Sequence, residues 1–193
     1  MHVFHTPGTR STRVLWTLEE VGVPYDVTVL TTEERRGAEH RRRHPLGRVP
    51  VIELDDGRLM FESAAICLHI TDLYPIAGSP TIGSPERPFL YQWLSFATTE
   101  LEPAVGRWMR SRQNGDGETE AVEFFERANV LEQQLATRAW VLGDHFSIVD
   151  MFVARPLNVI FSNDVTDQLP ALHEHWRRAL ARPAHQRADA VGR

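Results

Sequence analysis

The sequence predicts two parts of different class, an α/β domain followed by an all-α domain. Two observations predict this division. Alternating and helical apolar patterns interleave over the first 75 residues, and only helical spacing survives after a proline- and glycine-rich stretch. In that stretch Pro75, Gly78, Pro80, Gly83, Pro85 and Pro88 follow in quick succession, so we place the first domain at 1–75, a linker at 76–88 and the helical domain at 89–193. The 193 residues suffice for one compact unit or two small ones.

Val3-Phe4-His5 is a short strand that runs into the turn Thr6-Pro7-Gly8-Thr9. Val14, Leu15, Leu18 and Val21 then recur at helical spacing until Gly22 and Pro24 end the helix. Tyr25 to Leu30 alternates as a strand, which closes a β-α-β unit with a parallel pair and a right-handed crossover. A polar, Arg-rich stretch covers Thr31 to His44, followed by a strand at Val51–Leu54, the turn Asp55-Asp56-Gly57-Arg58, a strand at Leu59–Phe61 and a helix from Ser63 to about Leu73. Helices are expected from Phe89 to about Arg112, Glu118 to about Arg138, Ile148 to about Phe161 and Ala171 to about Leu180, with Pro103 and Pro156 as points of bending. Gln113 to Gly117 forms a loop, and the tail from Pro183 either packs as a final helix or frays. Ser147-Ile148-Val149-Asp150 has the spacing of a capping box, whose loss typically costs ~0.5 to 2 kcal/mol.

Composition narrows the function classes. A formal charge of −5 argues against generic nucleic-acid binding, and the Arg-rich run is offset by Glu33, Glu34 and Glu39 without interleaved aromatics. One cysteine, Cys67, excludes an intramolecular disulfide, and its Ile66-Cys67-Leu68 setting is that of a small core residue. No apolar run approaches the ~18 residues that span a bilayer, so a cytoplasmic protein without membrane or metal is expected; His40 and His44 share helical spacing but lack a carboxylate or cysteine partner.

The informative segments are Gly47-Arg48-Val49-Pro50-Val51-Ile52 and Phe61-Glu62-Ser63-Ala64-Ala65-Ile66. Pro50 cannot donate to a ladder, which leaves the Val49 peptide free at a sheet edge for another backbone. Glu62-Ser63 opens a helix with a carboxylate, a hydroxyl and unpaired amides, a place for the charged end of a peptide-like ligand. The turn Pro7-Gly8-Thr9-Arg10-Ser11-Thr12-Arg13 precedes a helix N-terminus, where the positive end lowers a thiol pKa.

With these residues the chain resembles the cytosolic glutathione transferase family, bacterial-type, over nearly its whole length. The resemblance implies an N-terminal thioredoxin-like domain that binds glutathione and an all-helical domain that helps bind a hydrophobic electrophile. It implies that Val49, before a cis-Pro50, pairs with the cysteinyl part of glutathione and that Glu62 and Ser63 hold the γ-glutamyl end, with Arg48 beside them. One of Arg36, His40 or Arg43 is implied at the glycine carboxylate. The implied thiolate donor is Ser11, matching a serine of bacterial members, with Thr9, which matches the serine of insect enzymes, second. Arg10 stands where cysteine-type bacterial members carry cysteine, which disfavours an enzyme mixed disulfide. Arg10, Trp108 and Met109, with Phe161, are the implied electrophile-pocket residues, and a homodimer is the implied assembly. The alternatives are a glutathione-dependent disulfide reductase, a maleyl-type isomerase, or a non-catalytic module of the same fold.

Overall fold

The computed structural model describes residues 1–115, 117–161 and 167–193. They form two compact units, one of Met1–Ile76 with Arg182–Arg193 and one of Ala77–Ala181. The first is a mixed sheet with helices, of the thioredoxin-like kind expected, and the second is all-helical among the described residues.

In the first unit, β1 (His2–His5) leads through the turn to α1 (Ser11–Val21) and β2 (Asp26–Val29). β2 runs parallel to β1, with His2 opposite Asp26 and His5 opposite Val29, as the crossover requires. Gly22 ends α1 at φ 69° and returns its N–H to the Leu18 carbonyl at 2.9 Å, a left-handed cap that glycine adopts without a Cβ penalty. The Arg-rich stretch holds two short helices, α2 (Thr32–Arg36) and α3 (Ala38–Arg43), because Gly37 is extended between them. Thr31 and Glu34 close a reciprocal capping box at the start of α2, with bonds of 3.1 and 2.8 Å. β3 (Val51–Glu53), β4 (Leu59–Phe61) and α4 (Ser63–Leu73) complete the unit, and the strand order is β2-β1-β3-β4.

α1 is buried continuously from Ser11 to Leu18 because it lies against both α4 and a C-terminal helix, α10 (Pro183–Ala190). The sequence range 89–193 groups these last residues with the helical domain, whereas their packing joins them to the first unit. Arg182 grips Glu20 with two bonds of 2.6 and 2.7 Å, and the same carboxylate accepts the Trp16 indole N–H at 2.8 Å. His185 meets the Trp16 ring edge-on at 4.6 Å. Arg187 pairs with Glu19, which also accepts the Tyr25 hydroxyl at 2.9 Å; burial and then this carboxylate push the Tyr25 pKa up to about 12. Ending the chain at Ala181 is therefore expected to red-shift the tryptophan emission as Trp16 meets water and to lower the melting temperature. An unchanged spectrum would show that α10 does not shield Trp16.

The second unit contains α5 (Arg87–Phe96), a π-helical turn (Ala97–Leu101), α6 (Glu102–Gln113), α7 (Glu118–Leu135), α8 (Ile148–Phe161) and α9 (Pro170–Leu180). The helix expected from Phe89 to Arg112 widens through that turn, in which the Glu102 N–H returns to the Ala97 carbonyl five residues back, and Pro103 follows directly as the second residue of α6. α8 instead runs through Pro156. Residue 116, in the expected loop, lies outside the described residues.

The Ser147-x-x-Asp150 motif does more than cap α8. Asp150 is fully buried; its Oδ2 accepts the Ser147 N–H at 2.8 Å and lies 3.1 Å from the Ser147 hydroxyl, while its Oδ1 accepts the Val141 N–H and sits 2.9 Å from His175 Nε2 of α9. Glu132 of α7 receives the Ala171 and Leu172 amides at 2.9 and 2.8 Å, capping α9 from outside it. Two carboxylates thus fasten three helices.

Candidate active site

The sheet register gathers the motifs. Phe4 lies opposite Val51, and Val51 lies opposite Phe61. The chain leaves β1 toward Thr6–Arg10, enters β3 from Val49-Pro50 and leaves β4 toward Glu62-Ser63, all at this same end of the sheet.

The Val49-Pro50 peptide is cis. It does not border a sheet edge, as the sequence suggests: β3 is an inner strand between β1 and β4, because strand order is set by pairing and not by the local chemistry of proline. Val49 precedes the paired residues of β3, so its backbone lies at the end of the ladder, while its side chain is buried with Phe4, Leu30 and Val51. The segment is anchored by packing and presents its peptide at the strand mouth.

Glu62 stands at the start of α4 with φ 75° and ψ 107°, the one non-glycine residue with positive φ among the described residues. A β-carbon there costs roughly 1 to 3 kcal/mol, so the rest of the fold holds this conformation against strain. Glu62 is exposed, and its carbonyl accepts the Ile66 N–H at 2.9 Å, while Ser63, the first residue of α4, is buried.

The three segments bring a basic group with them. His44 packs on the Phe61 ring at 4.8 Å and receives the Leu46 N–H at Nδ1, 3.0 Å away. Burial lowers its pKa, opposed by Glu62 and assisted by His40 and Arg48, which favours the uncharged ring whose Nδ1 can accept. His40 is buried, its Nε2 lying 2.8 Å from the Arg48 carbonyl. Arg43 lies over the Phe4 ring at 4.4 Å and pairs with Glu39. His40 and Arg43 also line a groove of about 630 Å³ with His2, Thr28 and Glu53. Arg36 and Arg48 are exposed.

At the first turn the two candidate hydroxyls are linked. Ser11 Oγ is 2.7 Å from Thr9 Oγ1, 2.8 Å from His5 Nδ1 and 3.2 Å from both the N–H and the carbonyl of Thr6. Ser11 is fully buried and His5, the last residue of β1, is 1% exposed. Thr9 is half-buried, and its hydroxyl donates to the Thr6 carbonyl at 2.7 Å. Of the two hydroxyl residues, Thr9 is therefore the one that reaches the surface. Arg10 is exposed beside it. His5 carried no signal in the sequence, since a histidine closing a strand reads as an ordinary polar residue.

In the second unit, Trp108 of α6 is buried, stacked on Phe124 at 4.8 Å, with Arg112 over it at 5.5 Å; Met109 is half-buried. Phe161 is buried with His173 and Trp176 at 5.1 and 5.5 Å. These aromatics serve the helical core.

Cys67 is fully buried in α4, near the Thr17 hydroxyl at 3.1 Å, and burial pushes its pKa up to about 12. It is expected to stay inert to a thiol-reactive dye in the native protein at pH 8 and to react fully in denaturant. Rapid native labelling would contradict that burial. Among the described residues, no group of three or more His, Cys, Asp or Glu side chains is placed to hold a metal ion, and no helix is long and apolar enough to cross a membrane.

A family model for the glutathione S-transferase N-terminal domain matches residues 9–73, and one for the C-terminal domain matches residues 96–183. This chain belongs to the glutathione S-transferase family. Glutathione S-transferase 3 of Schizosaccharomyces pombe is 26% identical, over 93% of this chain and 83% of the relative. The structure of a sphingomonad glutathione S-transferase complexed with glutathione matches with a TM-score of 0.83 and 26% identity, covering 98% of this chain and 97% of that one. Elongation factor 1-gamma 1 of rice is 27% identical over 72% of this chain, which spans 35% of that longer relative. The family's N-terminal model thus takes in Thr9, Val49-Pro50 and Glu62-Ser63 together.

Proposed function

We propose that the protein is a glutathione transferase whose first unit binds glutathione across the sheet end and whose Thr9 hydroxyl holds the thiolate. The observation that carries this reading is the register Phe4–Val51–Phe61, which sets the Thr9 turn, the Val49 peptide and the Glu62-Ser63 pair side by side. In the bound state the Val49 backbone pairs with the cysteinyl part of glutathione, while Glu62 accepts from its γ-glutamyl ammonium and Ser63, with the α4 amides, meets the α-carboxylate. Arg48 supplies positive charge toward the remaining carboxylate. Thr9 takes the part of thiolate donor in preference to Ser11 because Ser11 is fully buried whereas Thr9 is half-buried. The thiol proton leaves to water, the thiolate attacks a hydrophobic electrophile, and a C–S bond forms as the leaving group departs with its electron pair. The protein contributes binding and electrostatics and forms no covalent intermediate. A homodimer belongs to the same proposal, with the exposed Phe61, Leu73 and Tyr74 as apolar surface available to it.

The test is a titration of glutathione into the protein with thiolate absorbance near ~240 nm followed against pH. A midpoint at least one unit below the ~8.5 of a free thiol, with turnover of an activated aryl halide, is the expected result. The likeness to an elongation factor 1-gamma supports one second reading, a binding module without turnover. Binding with an unshifted thiol and no product would favour that reading.

A further inference from the structure

We propose that His5 is a positioning residue for this site, donating from Nδ1 to Ser11 Oγ and so aligning the Ser11 and Thr9 hydroxyls head to tail, with the Thr9 proton presented to the glutathione sulfur. The inference rests on the transferase reading above and extends it to a side chain behind the surface.

Ser11 Oγ has one proton and two lone pairs, and the Thr6 N–H at 3.2 Å occupies one lone pair. If His5 Nδ1 carries its hydrogen, the contact of 2.8 Å fills the second lone pair. The Ser11 proton then has two acceptors, Thr9 Oγ1 at 2.7 Å and the Thr6 carbonyl at 3.2 Å, and the shorter contact selects Thr9. Thr9 Oγ1, accepting from Ser11 and from the Ser11 N–H at 3.3 Å, keeps its own proton, which is donated to the Thr6 carbonyl at 2.7 Å and swings to the sulfur when a ligand thiolate takes that place as acceptor. In the opposite tautomer the Ser11 proton is spent on His5. Ser11 then has a lone pair to attract the Thr9 proton inward, away from the surface.

The tautomer of one buried imidazole thus decides which way the row of hydroxyls points. Burial matters because His5 is 1% and Ser11 0% exposed, so water does not scramble the direction. Bonds in such a row polarise one another, which strengthens the terminal donor. No proton is transferred to His5 in this scheme; it orients the hydroxyls and does not touch the substrate.

The experiment compares the bound-thiol pKa of glutathione in wild type, Thr9→Ala, His5→Asn, His5→Gln and His5→Leu, with S-methylglutathione affinity as the control that has no thiol. Asparagine can put an amide N–H where Nδ1 stands, whereas glutamine places its amide at the Nε2 position and leucine has none. We expect His5→Leu and His5→Gln to raise the bound-thiol pKa by about one unit, a tenfold loss of thiolate well below the midpoint. His5→Asn should stay near wild type, and S-methylglutathione should bind all variants within twofold. If His5→Leu fails to fold, the Asn and Gln variants carry the comparison. A depressed pKa that is abolished by Thr9→Ala but equal in every His5 variant would overturn the role of His5 alone. A wild-type protein that binds glutathione without lowering its thiol pKa would remove the transferase reading, and this proposal with it.

Discussion

Thr9→Ala is expected to lower kcat/KM for glutathione-dependent conjugation about tenfold to a hundredfold at neutral pH. A hydrogen bond to a charged group is worth roughly 1.5 to 3 kcal/mol, and each pH unit of thiol shift corresponds to about 1.36 kcal/mol. Loss of one donor therefore returns the bound thiol one to two units toward its solution value. The donor stabilises the deprotonated form, so its removal raises the pKa and the acidic limb of the rate profile moves to higher pH. Thr9→Ser keeps the hydroxyl and should remain within a few-fold of wild type. Ser11→Ala should behave differently, since Ser11 is fully buried and binds the Thr6 amide. Its loss is expected to lower thermal stability together with activity. Steady-state rates across pH for the three variants separate these outcomes, and a Thr9→Ala enzyme with an unmoved profile would pass the role to another donor.

Asp150→Ala should be the most damaging substitution for the fold. It removes the acceptor for two backbone N–H groups, one hydroxyl and the His175 ring, all at buried positions. Breaking a buried polar pair by deleting one member costs roughly 3 to 5 kcal/mol, because the surviving groups are left without water or a partner. For a chain of this size each kcal/mol moves the melting temperature by about 2 to 4 °C, so a fall of about 6 to 20 °C is expected by calorimetry or circular dichroism. Asp150→Asn retains one oxygen acceptor and should fall between. A loss below about 3 °C would mean that the loop rearranges to satisfy these groups by other means.

These two sites differ in how far the sequence exposed them. The capping role of Asp150 is legible because Ser-x-x-Asp is a local pattern with a local mechanism. Its partners Val141 and His175 are not, since they come from a preceding loop and from another helix. The β-α-β opening, the strands around residues 51–61 and the helix at 63–73 were readable from periodicity and turn chemistry. Strand order was not, which is why Pro50 suggested an edge and β3 proved an inner strand. Nor was the return of the tail: Arg182 and Arg187 look like solvated charges until Glu20 and Glu19, more than 160 residues earlier, are found beside them. At the candidate site the sequence favoured Ser11 with Thr9 second, and it is the full burial of Ser11 beside a half-buried Thr9 that supports the opposite order.

Glu62 has an implication for anyone wishing to make this protein hardier. Its backbone occupies a region natural to glycine, so Glu62→Gly is an obvious stabilising exchange on conformational grounds. That exchange would also delete the carboxylate proposed above to accept a ligand's ammonium group. Under that proposal robustness and recognition compete at a single residue, and a library screened only for heat resistance would drift toward a sturdier scaffold with a weaker grip on its ligand.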